Sequence, residues 1–155
     1  CISIDPYYLM HKSKMIGYTP SIMQAARNLN DKMGEWVVDN FLDFIKKENI
    51  DINSTTITLM GYTFKENCSD IRNTKVHDLA VSLKNNGLSI NIWDPFFTKE
   101  TQDKLSAHGI DAFFKKPKEV QLAFVCVYHM QIIKFLKSYE GIIYDYKKLN
   151  FNTSV

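Results

Sequence analysis

No run of apolar residues in these 155 residues is long enough to span a bilayer, and no stripe of lysine and arginine runs along it. The first absence argues against a membrane protein, the second against a nucleic-acid binder. Formal net charge is only +2, with cations scattered among carboxylates. The start of the chain carries neither a charged leader region nor a secretory cleavage site. Cysteine is scarce: Cys1, Cys68 and Cys126 form an odd set without metal-ligand spacing, which excludes a disulfide scaffold and a zinc site and predicts a cytoplasmic protein. Glycine is scarce too, and its six copies nowhere form Gly-x-Gly-x-x-Gly, so a complete dinucleotide site is not expected on this chain.

What is there suffices for one ordinary core, since 45% of the residues are hydrophobic. Tyr8, Leu9, Lys12 and Met15 recur at helical spacing before Gly17, giving a short helix after a loop at Cys1. Thr19-Pro20 then reads as a helix cap with proline at the first helical position. From there Ile22, Ala25, Ala26, Leu29, Met33, Trp36, Val37, Phe41 and Phe44 keep a three- and four-residue rhythm to about Lys47. A helix of that length packs on two bodies. Periodicity leaves open whether it is a core helix or a connector that also pairs with its twin.

Beyond Ser54 the pattern alternates. Strands are predicted at 55–60, 88–93, 110–114, 122–128 and 141–146, and helices at 76–85, 98–107, 116–120 and 130–139. The expected fold class is α/β: a Rossmann-like parallel sheet of about five strands with helices on both faces, preceded by a long connecting helix. The expected divisions are 1–19, a cysteine loop and short helix; 20–48, the long helix; and 54–155, the Rossmann-like domain.

In such a sheet ligands bind at the carboxyl ends of the strands. The loop after the first strand, Gly61-Tyr62-Thr63-Phe64-Lys65-Glu66-Asn67, offers a point charge in Lys65 and an apolar face in Phe64, although a solvated surface lysine satisfies the same pattern. Arg72 either reaches a phosphate or pairs with Asp70. Asp94 is expected to order the turn after Trp93, and His129 to mark a helix entry. Cys68 and Cys126 read as small apolar residues. At the front, the Cys1 thiol and the Asp5 carboxylate are chemically capable of covalent carbonyl chemistry.

Cys1-Ile-Ser-Ile-Asp5-Pro-Tyr-Tyr-Leu, Ala25-Ala-Arg-Asn-Leu-Asn-Asp31, Gly61-Tyr-Thr-Phe-Lys65-Glu-Asn67, Asp70-Ile-Arg72-Asn-Thr and Trp93-Asp-Pro95 occur in that order. Together they resemble the C-terminal portion of the UDP-glucose/GDP-mannose dehydrogenase family, in wording closest to bacterial UDP-N-acetylhexosamine 6-dehydrogenases of polysaccharide biosynthesis. The resemblance runs through about Asp145 and implies a UDP-sugar substrate, two molecules of NAD used in turn, and oxidation of a primary alcohol to a carboxylate. It implies that Cys1 is the nucleophile carrying a thiohemiacetal and then a thioester, and that Asp5 orients or activates the hydrolytic water. It further implies that Phe64 and Lys65 contact substrate, that Arg72 reaches the cofactor, and that the long helix forms a homodimer. The family's Gly-Gly-His before the cysteine, its N-terminal NAD-binding domain and the catalytic lysine of its central domain have no counterpart here. NAD is therefore expected to bind mainly outside this chain, and the fragment alone to be inactive. Residues 149–155 match nothing clearly. Two other readings compete: a non-catalytic Rossmann-like module that holds a nucleotide-sugar, and a dimeric scaffold built on the long helix.

Overall fold

The computed structural model describes residues 4–147. Cys1 and residues 149–155 lie outside the described residues. The chain divides into two compact units, Cys1–Trp36 and Val37–Val155.

In the first unit, α1 (Asp5–Met15) begins with Asp5 in its first turn and Pro6 where a missing N–H costs nothing, and it carries Lys12 and Lys14 in its last turn. The next helix, α2 (Ser21–Lys47), starts one residue later than the sequence predicts; the Pro20 carbonyl accepts the Gln24 N–H at 3.0 Å. α1 is tied to α2 by a polar cluster. Tyr7 Oη donates to Asp31 Oδ2, Arg27 pairs with Asp31 Oδ1 at 2.9 Å, and the Arg27 guanidinium lies 4.9 Å from the Tyr7 ring centroid.

The second unit is the sheet. Its strands are β1 (Thr56–Met60), β2 (Ser89–Trp93), β3 (Asp111–Phe113), β4 (Leu122–Val125) and β5 (Ile142–Tyr144). All pair in parallel in the order β3-β2-β1-β4-β5. Helices α3 (Val76–Asn85), α4 (Lys99–Ala107) and α5 (Met130–Leu136) make the crossovers. This is the α/β architecture read from the sequence.

Strand alternation assigns the two faces. Ile57, Leu59, Ile92, Leu122 and Phe124 pack with α3, α4 and the C-terminal part of α2. Met60, Trp93, Ala123 and Val125 pack with Ile132 and Leu136 of α5. The first face is the larger core, and its centre is Phe41, fully buried, with ring centroids 4.6 Å from Phe124 and 4.9 Å from Tyr144. Burying such an aromatic contributes about 3 kcal/mol.

Several boundaries differ from expectation, each for a local reason. The predicted helix at 116–120 does not form: a five-residue segment is too short to offset helix nucleation, and Lys116 and Lys118 repel within it. The predicted strand 122–128 stops at Val125 because the Cys126 and Val127 N–H groups both donate to the Met60 carbonyl, at 2.9 and 3.0 Å, where β1 itself ends. The segments 110–114 and 141–146 shrink to three-residue strands at the two edges of the sheet.

Candidate functional site

β1 is the central strand, with β2 on one side and β4 on the other; the strands stay parallel, but the connection after β1 leads toward β2 and that after β4 toward β5, so the direction of winding reverses between β1 and β4. Ligands of open parallel sheets bind at the strand ends at such a switch point. Here the loop after Met60 stands at that point and packs against the buried segment 126–129.

The loop after β1 starts with a turn that only glycine fits. Gly61 has φ +89°, its N–H donates to the Trp93 carbonyl at 2.8 Å, and a Cβ there would lie 2.5 Å from Val127 Cβ. Tyr62 and Thr63 follow, buried, and the chain then emerges. Phe64 is 52% exposed, and Lys65 is exposed and forms no ion pair among the described residues. The Phe64 N–H donates to the Asp70 carbonyl at 2.7 Å, closing residues 64–70 into a loop.

Asp70 and Arg72 pair in a fork: Arg72 Nη2 lies 2.7 Å from Asp70 Oδ2, and Arg72 Nε lies 3.0 Å from Oδ1. The Arg72 hydrogen bonds hold the Asp70 carboxyl at about 2. Of the two readings of Arg72, the structure displays the pair with Asp70; its side chain remains 84% exposed, and its guanidinium retains donors free for an anion.

Beneath the exposed tip lies a buried polar network that sequence reading underrated. Asp94, at the end of β2, does accept the Phe96 N–H at 2.8 Å and so orders its own turn as expected. It also reaches across to β1: Oδ2 accepts the Tyr62 N–H at 2.6 Å and the Thr63 N–H at 3.0 Å. His129 is the entry residue of α5, as expected, but its side chain makes no cap bond to the helix. Instead Nδ1 accepts the Asn67 N–H at 2.9 Å, and Nε2 lies 3.0 Å from both Asp94 Oδ2 and Thr63 Oγ1. Because a backbone N–H only donates, Nδ1 is the bare nitrogen and Nε2 carries the hydrogen. Burial works to raise the Asp94 carboxyl, yet the His129 hydrogen bond and the Tyr62 and Phe96 N–H groups outweigh it and hold the group below the ordinary carboxylate range. The available signal was position, since both residues follow strands that flank β1.

The other strand tips add Tyr128, whose hydroxyl donates to Asp145, and Lys147, whose Nζ lies 4.7 Å from the Tyr128 ring centroid. Burial and the Asp145 carboxylate push the Tyr128 phenol up.

Phe64, Lys65 and Arg72 thus share one segment at the β1 tip. Asp5 lies in the first unit, at the start of α1, and Cys1 lies outside the described residues. Among the described residues no group of three histidine, cysteine or carboxylate side chains is placed to hold a metal, and no helix is long and apolar enough to cross a membrane.

Comparison with known proteins bears on this site. Residues 58–151 match the family model described as "UDP-glucose/GDP-mannose dehydrogenase family, UDP binding domain". The chain is 44% identical over 110 residues to a UDP-N-acetyl-D-glucosamine 6-dehydrogenase of Pseudomonas aeruginosa, covering 71% of this chain and 26% of that protein. It is 34% identical over 146 residues to Protein CapL of Staphylococcus aureus, covering 94% and 34%. It therefore spans about a quarter to a third of these relatives. A UDP-glucose dehydrogenase structure from Pyrobaculum islandicum superposes with a TM-score of 0.73 at 16% identity, over 92% of this chain and 32% of that one, which shows the shared fold.

Proposed function

Because this chain belongs to the UDP-glucose/GDP-mannose dehydrogenase family and carries its UDP binding domain, we propose that it is the nucleotide-sugar-holding part of an NAD-dependent UDP-sugar 6-dehydrogenase. The substrate class we assign is a UDP-N-acetylhexosamine, on the strength of the curated relatives named for that chemistry. Such a reaction supplies a carboxylated sugar for cell-surface polysaccharide precursors in the cytoplasm.

The observation that carries this reading is the β1 tip. An exposed cation and an exposed aromatic ring stand side by side at the switch point, on a loop held rigid from below, which suits a diphosphate and its attached ring. In the mechanism we propose, Lys65 provides charge to the diphosphate and Phe64 the apolar wall. Cys1 would hold the sugar aldehyde covalently through its thiol, NAD bound outside this chain would supply the hydride acceptor, and Asp5 would steer the water that releases the carboxylate and frees the thiol.

The loop after β1 is not a pyrophosphate cradle, since its sequence after Gly61 places bulky side chains where backbone would have to approach. NAD does not fit this domain as a resident cofactor. We assign it to the part of the protein that this chain does not span, with Arg72 as the contact offered from here. The exposed Ile22 (88%) and Leu29 (69%), with Met33 and Trp36, support a homodimer through the N-terminal part of α2.

Titration of the 155-residue chain with UDP tests the reading. Binding in the micromolar range, at least tenfold weaker in Lys65→Ala, is expected from the loss of a charge-assisted contact worth about 1.5–3 kcal/mol. No UDP binding, or binding indifferent to Lys65, would leave the domain without its assigned ligand.

A further inference from the structure

Asp94 and His129 are fully buried, yet apart from the contact with each other four of their five hydrogen-bonded contacts lead to the loop that begins at Gly61: the Tyr62, Thr63 and Asn67 N–H groups and the Thr63 hydroxyl, the last reached by His129. The fifth is the Phe96 N–H in the turn of Asp94 itself. A buried ionised carboxylate and imidazole are seldom the most stabilising way to fill such a space, because aliphatic packing there avoids the desolvation of both groups. Their return lies in fixing one conformation of what they hold.

That conformation is specified closely. The Thr63 hydroxyl, accepting from His129 Nε2, donates onward to the Lys65 carbonyl at 3.1 Å. On the far side of the tip, Asn67 sits at φ +53°, its N–H on His129 Nδ1 and its side-chain oxygen accepting the Met130 N–H at 2.9 Å. Residues 64–66 are therefore suspended between two anchors that meet on a single imidazole. The Phe96 ring, 4.9 Å from His129, closes the remaining side.

Resting on the assignment of Phe64 and Lys65 to the nucleotide-sugar, we infer that Asp94 and His129 are positioning residues for it: one buried imidazole, oriented by Asp94, sets the backbone from Thr63 to Asn67 so that the Lys65 ammonium and the Phe64 ring are presented together. Neither touches the ligand. They act through the loop, and the loop conformation is the specificity element.

The test divides the imidazole into its halves. His129→Gln can retain the donor toward Asp94 while losing the acceptor for Asn67, and His129→Asn can retain the acceptor while losing the donor. Amide exchange of Phe64–Asn67 in the 155-residue chain is expected to accelerate at least tenfold in either variant, while the amides of β1 and β4 stay protected. UDP affinity should fall at least tenfold, and Lys65→Ala introduced on top should cost far less than in the parent, because an already displaced lysine has little left to lose. Asn67→Gly is the second variant: it alters an exposed residue, relieves the positive φ, and cannot fail by disrupting the core. It should weaken UDP several-fold by freeing the tip at one end. Unchanged loop exchange in all three variants, or strict additivity with Lys65→Ala, would overturn the positioning role while leaving UDP recognition intact. Absence of UDP binding in the parent chain would instead overturn the assignment of the ligand, and this inference with it.

Discussion

His129 Nε2 lies 3.0 Å from Asp94 Oδ2, in a place where neither side chain is open to solvent, and the two residues come from strand ends on opposite sides of β1. The pair fastens β2 and β4 together above the strand between them. Its energetics are those of a buried couple: removing one member strands the other.

Asp94→Asn should therefore cost about 3 kcal/mol, read as a lower denaturant midpoint at neutral pH. The pH dependence has a definite sign. Asp94 titrates below its ordinary value when folded, so its contribution is complete above the unfolded-chain value of about 3.9 and is lost as pH falls through the folded one. Stability of the parent chain should drop on acidification from about pH 4 more steeply than that of Asp94→Asn. Parallel curves would mean that the carboxylate is not ionised in the folded chain.

Two glycines should respond in opposite directions to alanine. At Gly61 a Cβ would meet Val127 Cβ at 2.5 Å and the Val127 carbonyl oxygen at 2.6 Å, on a backbone with φ +89°. Strain and overpacking together predict a loss of about 3 kcal/mol. Gly34 lies inside α2 with nothing within 4 Å of the added atom, so Gly34→Ala should gain about 0.5–1 kcal/mol by helix propensity. Thermal unfolding of both variants checks the pair. A neutral Gly61→Ala would mean that the β1 turn gives way easily.

The thiols should separate by reactivity. Burial pushes the Cys126 thiol far up, whereas Cys68 is partly exposed on the loop near Arg72. Alkylation of the native chain at pH 8 should modify Cys68 within minutes and leave Cys126 untouched until denaturant is added. Fast labelling of Cys126 would show that the segment 126–129 opens readily.

The sheet was legible in the sequence because each strand is a short apolar run closed by a turn residue, and the crossover helices α3 and α4 end near Gly87 and Gly109. The order β3-β2-β1-β4-β5 was not, because alternation and right-handed crossovers are compatible with more than one order. Phe64, Lys65 and Arg72 were found as a segment because they are neighbours in sequence. The Asp94–His129 contact joins residues 35 apart in sequence, and no local pattern marks it. A histidine after a strand reads as a helix entry, which it also is, and only the fold brings its other ring nitrogen to Asn67. The end at Val125 was illegible for a similar reason: it depends on where the Met60 carbonyl lies, not on the propensity of the residues that stop.

Helix α2 carries the last prediction, since its apolar stripe divides in two. Val37, Val38, Phe41 and Ile45 are buried, and Phe41 contacts Phe124 and Tyr144. Phe41→Ala should cost about 3–5 kcal/mol in unfolding free energy at any protein concentration. Ile22 and Leu29, exposed within the single chain, should behave differently. A double change, Ile22→Asp with Leu29→Asp, should leave the folded spectrum of the sheet unit intact but shift sedimentation from dimer to monomer at micromolar concentration. Sedimentation of the parent as a monomer, or of the variant as an unchanged dimer, would remove the N-terminal part of α2 from the proposed interface. The two outcomes are separable because Phe41→Ala acts on the fold while the paired aspartates act on association.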